Sequence, residues 1–504
     1  MRCKNQRTIG LLACLLCAGT AFGQSQGNRV TVRWDKVIRI SRTTPTLQVV
    51  VNPPLRRGTP THDPVFRALH DLQADYVRYV PWLPYPRLAV AELEPPKDGK
   101  TSWDFSLIDP MTIDFLEATK GHPVILNFST IPQWMYKTEQ PVPYPQDANQ
   151  VTWDYEKGTE LRDPSAREVA DYYGRLFAWY TKGGFTDEYG KRHESGYHYV
   201  IPYWEVLNEP DFEHHITPQT YAGIYDAVVE SILTVEPNTK FVGLALALPS
   251  DNPAYFEYFL NHKNHKPGIP IDYISYHFYA SPTADQTAEI QQFTFFTEAD
   301  GFLKVVRYIE QIRLRLSPET RTTVNELGTF SVGDLGQDEP GHVTGPIPNS
   351  YWSLSAAVYA YLFAELTRMG IDVAGESQLV GYPTQFPGVS MVDWTNGKPN
   401  ARFWVLKMLK ENFGAGDKVV EVDYDGTSGS IFAAVTREGK PRVLIVNKRN
   451  RELEVSLAGA KGAEMLVVDQ TTAFDPPAHS ILQSEIVRVG GLGVAVISLP
   501  NTIR

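Results

Sequence analysis

The chain has 504 residues, 42% of them hydrophobic and 21% charged, which excludes a disordered chain and is ample for a large core. The formal charge of −11 and the lack of any basic stripe speak against a nucleic-acid binder. The 37 Gly and 37 Pro show no collagen-like period, and no short internal repeat occurs.

Residues 1–23 read as a signal peptide. Arg2, Lys4 and Arg7 form a basic start, Ile9 to Ala18 an apolar run, and Ala21-Phe22-Gly23 a small-x-small cleavage site before Gln24. The run is too short to span a bilayer, and no later segment is long and apolar enough to do so. An uncleaved anchor, or lipoprotein processing at Cys14 or Cys17, is the alternative. The expected location is therefore secreted or periplasmic. Cys3, Cys14 and Cys17 are the only cysteines and all lie in this leader. The processed chain is expected to have no disulfide, cysteine metal site or cysteine nucleophile.

Beyond the leader, residues 24–45 contain a strand-like segment, Arg29 to Ser41, positioned to join a β-domain formed by the far end of the chain. From residue 46 to 413 apolar strand-like runs alternate with helical patterns. The runs are Thr46–Val51, Tyr76–Val80, Pro123–Phe128, Tyr203–Leu207, Phe241–Leu246, Tyr273–His277, Thr322–Asn325 and Asp372–Glu376. The helical patterns are Val65–Leu72, Met111–Thr119, Arg167–Tyr180, Tyr221–Leu233, Tyr255–Asn261, Phe302–Leu316, Leu354–Met369 and Phe403–Asn412. Five helices are expected to open on a capping residue followed by Pro: Asp63-Pro64, Asp109-Pro110, Asp163-Pro164, Thr217-Pro218 and Asn252-Pro253. Several strands are apolar on both faces, as in a parallel sheet covered on both sides. Eight strands alternating with eight helices predict an α/β fold, a (β/α)8 TIM barrel. An open doubly wound sheet is the alternative, but no glycine-rich phosphate loop follows the first strand. Residues 414–504 turn to short β-runs such as Ser430–Thr436, Pro441–Asn447, Leu453–Leu457 and Val494–Ser498, which predict a small antiparallel β-sandwich.

Two strands end in carboxylates. Tyr203-Trp204-Glu205-Val206-Leu207-Asn208-Glu209-Pro210 is the fourth, and Thr322-Thr323-Val324-Asn325-Glu326 the seventh. The C-terminal strand ends of a barrel form its active site. Two carboxylates there are what a retaining glycosidase needs, one to protonate the leaving oxygen and one to attack the anomeric carbon. Either glutamate alone would be explained by a salt bridge; the two in fourth and seventh position point to catalysis by Glu209 and Glu326 together.

On these motifs the chain resembles clan A, the (β/α)8 retaining glycoside hydrolases whose acid/base follows Asn on strand four and whose nucleophile ends strand seven, which implies Glu209 as acid/base and Glu326 as nucleophile. Within the clan it is most similar to family 39, the β-xylosidases and α-L-iduronidases. Tyr276-His277-Phe278-Tyr279 resembles the strand-six His-x-Tyr motif, which implies contacts of His277 and Tyr279 with sugar and nucleophile. Asp372-Val373-Ala374-Gly375-Glu376 resembles strand eight, implying a substrate contact for Glu376. Lys398-Pro399-Asn400-Ala401-Arg402-Phe403-Trp404 resembles the start of the family's last helix. Before the nucleophile the family more often has Thr than the Asn325 found here.

Asn208 is a candidate donor to the sugar 2-hydroxyl, and Arg78 to Glu326, keeping it ionised; a strand-end cap and a structural ion pair are the plainer readings. Aromatic residues gather in the loops after strands two and three: Trp82, Tyr85, Trp134, Tyr136, Trp153 and Tyr155. Trp134 is the first choice for a wall of the sugar site, by stacking on a pyranose face. The long loop from Ile131 to Arg162 could close one end of the cleft, favouring exo-cleavage. His214-His215 lacks a third metal ligand and reads as a loop pair. Asn127-Phe128-Ser129 fits the glycosylation pattern but sits at a strand end and reads as chance. No metal and no cofactor is expected, and the expected partner is a carbohydrate; the oligomeric state is open.

The function expected is a secreted retaining glycoside hydrolase, exo-acting on a β-xyloside-like glycoside. An endo-glycanase, a transglycosylase on the same site, or a non-catalytic sugar-binding barrel are the alternatives. A uronic-acid substrate would want a cation, for which Arg87, Lys137 and Arg162 are the candidates.

Overall fold

The structure, a computed structural model, describes residues 28–500 apart from 141, 154–157, 338 and 340. The leader with Cys3, Cys14 and Cys17, and Tyr155 in the third loop, lie outside the described residues. No helix among the described residues is long and apolar enough to cross a membrane.

Eight parallel strands close into a barrel in sequence order: β1 (Thr44–Val50), β2 (Val77–Val80), β3 (Val124–Leu126), β4 (Tyr203–Glu205), β5 (Lys240–Leu246), β6 (Tyr273–Ala280), β7 (Arg321–Thr329) and β8 (Val373–Glu376). β8 pairs with β1, so no edge is left open. The strands are buried almost throughout, because helices cover the outside and side chains fill the inside.

Two of the five predicted caps act as such. Thr217 Oγ1 accepts from Thr220 N, and Asp163 Oδ2 accepts from Arg167 N and Glu168 N. Asp63 and Asp109 instead fall inside the first helical turn, where a carboxylate meets the positive end of the helix dipole. Asn252 turns its amide to Asp211. One helix, Ala288–Leu316, begins well before the predicted Phe302, because Ile290 and Phe293 are exposed while Gln291 and Gln292 are buried, which blurs the apolar period of its first half.

Of the remaining strands, Gly184–Thr186 pairs separately with Arg192–Glu194, and nine others form one sheet. Its members are predominantly antiparallel, and apolar residues alternate between its faces. Phe432, Ala434, Leu444 and Val446 join the cluster that includes the barrel helices, while Ile431, Ala433, Val443 and Ile445 join a core private to the sheet. The strand Asn28–Ile40 lies inside this sheet, antiparallel to Lys418–Asp423. Its other neighbour, Leu453–Leu457, runs parallel to it, an exception to the predicted antiparallel pattern. Register shifts between Arg33, Val37 and Arg39 allow this long strand to bend.

Candidate active site

The C-terminal ends of the strands surround a cavity of about 710 Å³. Glu209 reaches it from the turn after β4. That turn is held in an unusual path: Leu207 and Glu209 have φ of 60° and 42°, and Leu244 and Ala245 on the neighbouring strand have 83° and 47°. Left-handed backbone at non-glycine residues costs on the order of 1–3 kcal/mol each and persists only where the surroundings enforce it. Here Glu209 N donates to Ala245 O at 3.0 Å, Ala245 N to Ser275 Oγ at 2.9 Å, and Tyr221 Oη both donates to Val206 O and accepts from Leu244 N.

Glu326 does not end its strand as expected, since β7 runs on to Thr329. A register shift between Val324 and Glu326 supplies the reason. The extra residue sends Asn325 to Glu205 on β4, while Glu326 lines the cavity beside its register partner His277.

Polar side chains connect these carboxylates. His277 Nδ1 lies 2.7 Å from Glu209 Oε1 and its Nε2 3.5 Å from Glu326 Oε1. Tyr279 Oη donates to Glu326 Oε2 at 2.5 Å and contacts Ser377 Oγ at 2.6 Å. Arg78, fully buried on β2, donates to Glu326 Oε1, to Gln48 Oε1 at 2.7 Å, to Asn208 Oδ1 at 2.6 Å and to Glu205. Asn208 Nδ2 donates to Glu213 Oε1 at 2.7 Å. One ligating atom each of Glu209, His277 and Glu326 lies within 4.8 Å of the others. The two carboxylates are therefore near the ~5–5.5 Å spacing of retaining glycosidases and inside the ~6.5–9.5 Å of inverting ones. The same trio has the reach to hold a cation, but the Arg78 guanidinium on Glu326 opposes one.

The electrostatics separate the two acids. Burial raises Glu209, and the charges of Glu326 and Asp211 add to this against the pull of His277. Burial would raise Glu326 too, but His277, Arg78 and Tyr279 outweigh it and hold its pKa below the ordinary value. Burial opposes the charged form of His277, yet Glu326 and Glu209 leave its pKa raised. One carboxyl is thus biased towards the acid and the other towards the ionised nucleophile.

Of the predicted residues, Asn208, Glu209, Glu326 and Tyr279 line the cavity, and Arg78 and His277 sit directly behind it. Glu376 does not. It is fully buried and paired at 2.8 Å with Arg402, from the helix that follows β8. Trp134 does not line the cavity either, because its indole is tied to Glu92 O at 2.9 Å and covered by Arg162 at 4.4 Å. Trp82 and Trp153 take that place, joined by Phe386 and Phe330 from the loops after β8 and β7. Tyr85 bonds Thr384, and Tyr136 bonds His214 Nδ1. His214 is buried while His215 is exposed at the cavity, so the adjacent pair diverges. Asn127 is buried, donating to Glu205 and Leu207 O, which leaves no room for a glycan. Arg162 and Lys137 pair with Glu168 and Glu160 outside the cavity, and Arg87 meets backbone carbonyls of residues 145 and 146.

Two carboxylates escaped the sequence reading. Glu205 accepts from Arg78, Asn127, Ser275 and Asn325, and an isolated charge in an apolar strand was the available signal. Glu213 lines the cavity and accepts from Asn208 and Trp82, and no sequence pattern marks it. The residues contributed by the loops after β7 and β8, among them Gln337 and Gln378, were likewise missed.

The fold is shared with several solved structures. A GH51 arabinofuranosidase from Xanthomonas axonopodis pv. citri superposes with a TM-score of 0.65 at 12% identity, covering 94% of this chain and 100% of that one. A glucosidase from Croceicoccus marinus gives 0.58 at 14% identity, with 94% and 98% covered. The catalytic domain of GH30 xylanase C from Talaromyces cellulolyticus gives 0.57 at 10%, with 94% and 100% covered. No curated protein matches the sequence. The family described as Glycosyl hydrolases family 39 matches residues 23–322, more than half of the chain though short of Glu326. The chain belongs to glycosyl hydrolase family 39.

Proposed function

We propose that this glycoside hydrolase works by double displacement, with Glu326 as nucleophile and Glu209 as acid and then base. The observation that carries the reading is the approach of the two carboxylates to within 4.8 Å at one end of the barrel. Glu326 Oε1 and Oε2 are held by Arg78 and Tyr279, which keeps the attacking group ionised. It forms a bond to the anomeric carbon as the glycosidic bond breaks, and the leaving oxygen takes the proton of Glu209. Water, deprotonated by Glu209, then releases the sugar.

The reading extends to exo-action on a neutral, β-xyloside-like glycone. Rings of Trp82, Trp153 and Phe386, with centroids 5.4–6.2 Å apart, wall one side of a cavity sized for a few sugar rings. Among the described residues no Lys or Arg lines the cavity, whereas Glu209, Glu213, Glu326 and Asp334 do, a poor match to a uronate. The leader reading of residues 1–23 adds export from the cytoplasm; N-terminal sequencing of the secreted protein should begin at Gln24.

The test is a panel of 4-nitrophenyl glycosides followed by trapping with the 2-deoxy-2-fluoro analogue of the accepted sugar. Mass spectrometry should find the label on Glu326. A label elsewhere, or full turnover by a folded Glu326→Ala protein, would overturn the mechanism.

A further inference from the structure

The cavity is chemically uneven, and the position of Glu209 gives that unevenness a direction. An acid must sit beside the oxygen it protonates, so the leaving group lies on the Glu209 side, towards the turns after β4 and β5. The glycone lies towards Glu326. Around Glu326 the lining gathers polar groups, Gln48, Asn208, Tyr279, Ser377 and Gln378, with the Phe330 ring stacked on Tyr279 at 4.5 Å. Amide and hydroxyl groups so placed suit the hydroxyls of a sugar.

On the Glu209 side the lining takes in Phe212, Ala247 and Leu248, with Glu213 and His215 beside them. Phe212 is 55% exposed and Leu248 42%. Apolar side chains scattered singly over a surface need no explanation, but adjacent ones at the rim of a cavity do. These two are also held in place. Asp211 accepts from both Ala247 N and Leu248 N at 3.0 Å and from Asn252 Nδ2 at 3.1 Å, tying the β4 turn to the β5 turn. Phe212 N donates to Glu209 O at 2.9 Å, so the ring is carried by the same turn as the acid.

We infer that this face binds the leaving group, and that the leaving group is apolar, an alkyl or aryl aglycone rather than a further sugar. The inference rests on Glu209 as the acid. A second sugar would bring several hydroxyls against the exposed side chains of Phe212 and Leu248, which offer them no hydrogen bond. An alkyl or aryl group would instead cover apolar surface that is otherwise wet. The chemistry is unchanged: the aglycone departs as the alcohol that carries the Glu209 proton.

The test uses the full chain and two substrates with the glycone chosen by the panel above, an octyl glycoside and the disaccharide. The octyl glycoside should show the higher kcat/KM. The Phe212→Ser/Leu248→Ser protein, altered only at exposed positions, should lose about tenfold on it, as expected for removal of apolar contact area, and about twofold or less on the disaccharide. Equal or better cleavage of the disaccharide, or equal losses on both, would overturn the inference. Binding of octyl β-xyloside to proteins also carrying Glu326→Gln, followed by tryptophan fluorescence, reads the face independently of turnover. Weaker binding by the double variant supports the inference even if fluorosugar trapping fails; unchanged binding, or none to either protein, overturns it even if trapping succeeds.

Discussion

The imidazole Nδ1 of His277 lies 2.7 Å from Glu209 Oε1, so the candidate acid shares its hydrogen bond with a group that also faces Glu326. His277 lowers both carboxylates, through the bond to Glu209 and through its charge near Glu326. Glu326 must be ionised and Glu209 protonated for the first step. The acid limb of kcat/KM against pH should therefore fall below the ordinary glutamate value and the basic limb above it. Without the imidazole both carboxyls rise, so His277→Gln should move both limbs to higher pH. A pH profile of the variant with unmoved limbs would reduce His277 to packing.

Glu205 is the carboxylate behind the site. It is 1% exposed and answers Arg78 from the opposite side to Glu326. Removing one partner of a buried pair leaves the other charge uncompensated, at a cost of about 3–5 kcal/mol. Glu205→Gln should lower stability by that order in denaturant titration. It should also reduce turnover, since Arg78 then has Glu326 as its only anionic partner. A variant of wild-type stability would show that the surrounding amides suffice.

A contrasting result is expected for Glu376. Its side chain and that of Arg402 are both fully buried, and Arg402 also donates to Gly388 O and Ser377 O. Glu376→Gln should destabilise the fold by about 3–5 kcal/mol while leaving KM within about twofold. A large rise in KM with stability intact would return Glu376 to the substrate.

Glu92 offers a pH signature away from the site. Burial, with Glu188 nearby, pushes its carboxyl up to about 8 against the pull of Arg175, and its Oε1 has no hydrogen-bond partner. The folded state then keeps a proton that the unfolded chain sheds above its ordinary value near ~4.3. The stability this gives is full below that value and declines as pH rises towards 8. Glu92→Gln, permanently neutral, should flatten that decline in melting temperatures measured from pH 5 to 9. Parallel curves for the two proteins would assign the decline to other groups.

The barrel and its two carboxylates were legible because they rest on local pattern: apolar runs, helix periods, and acids at strand ends. What failed was whatever depended on distant partners. Glu376 looked like its neighbours at the rim until Arg402, from the next helix, claimed it. Trp134 and Trp82 are equivalent as sequence, and only the fold turns one to Glu92 and the other to the cavity. The bulge that re-aims Glu326 adds one residue with no composition of its own. Glu205 was visible as an unexplained charge in an apolar strand, but its four donors come from β2, the residue after β3, β6 and β7, and their approach cannot be read locally.

The strand Asn28–Ile40 sits between Lys418–Asp423 and Leu453–Leu457, both of which are made after the entire barrel. During synthesis this strand waits unpaired while the whole barrel emerges from the ribosome, until its two neighbours follow. Its middle and final turn carry Arg33, Lys36 and Arg39, charges that discourage a bare strand from pairing with the wrong neighbour. The nine-stranded sheet is thereby completed only after the barrel has been made, and it joins two segments that the barrel separates in the sequence.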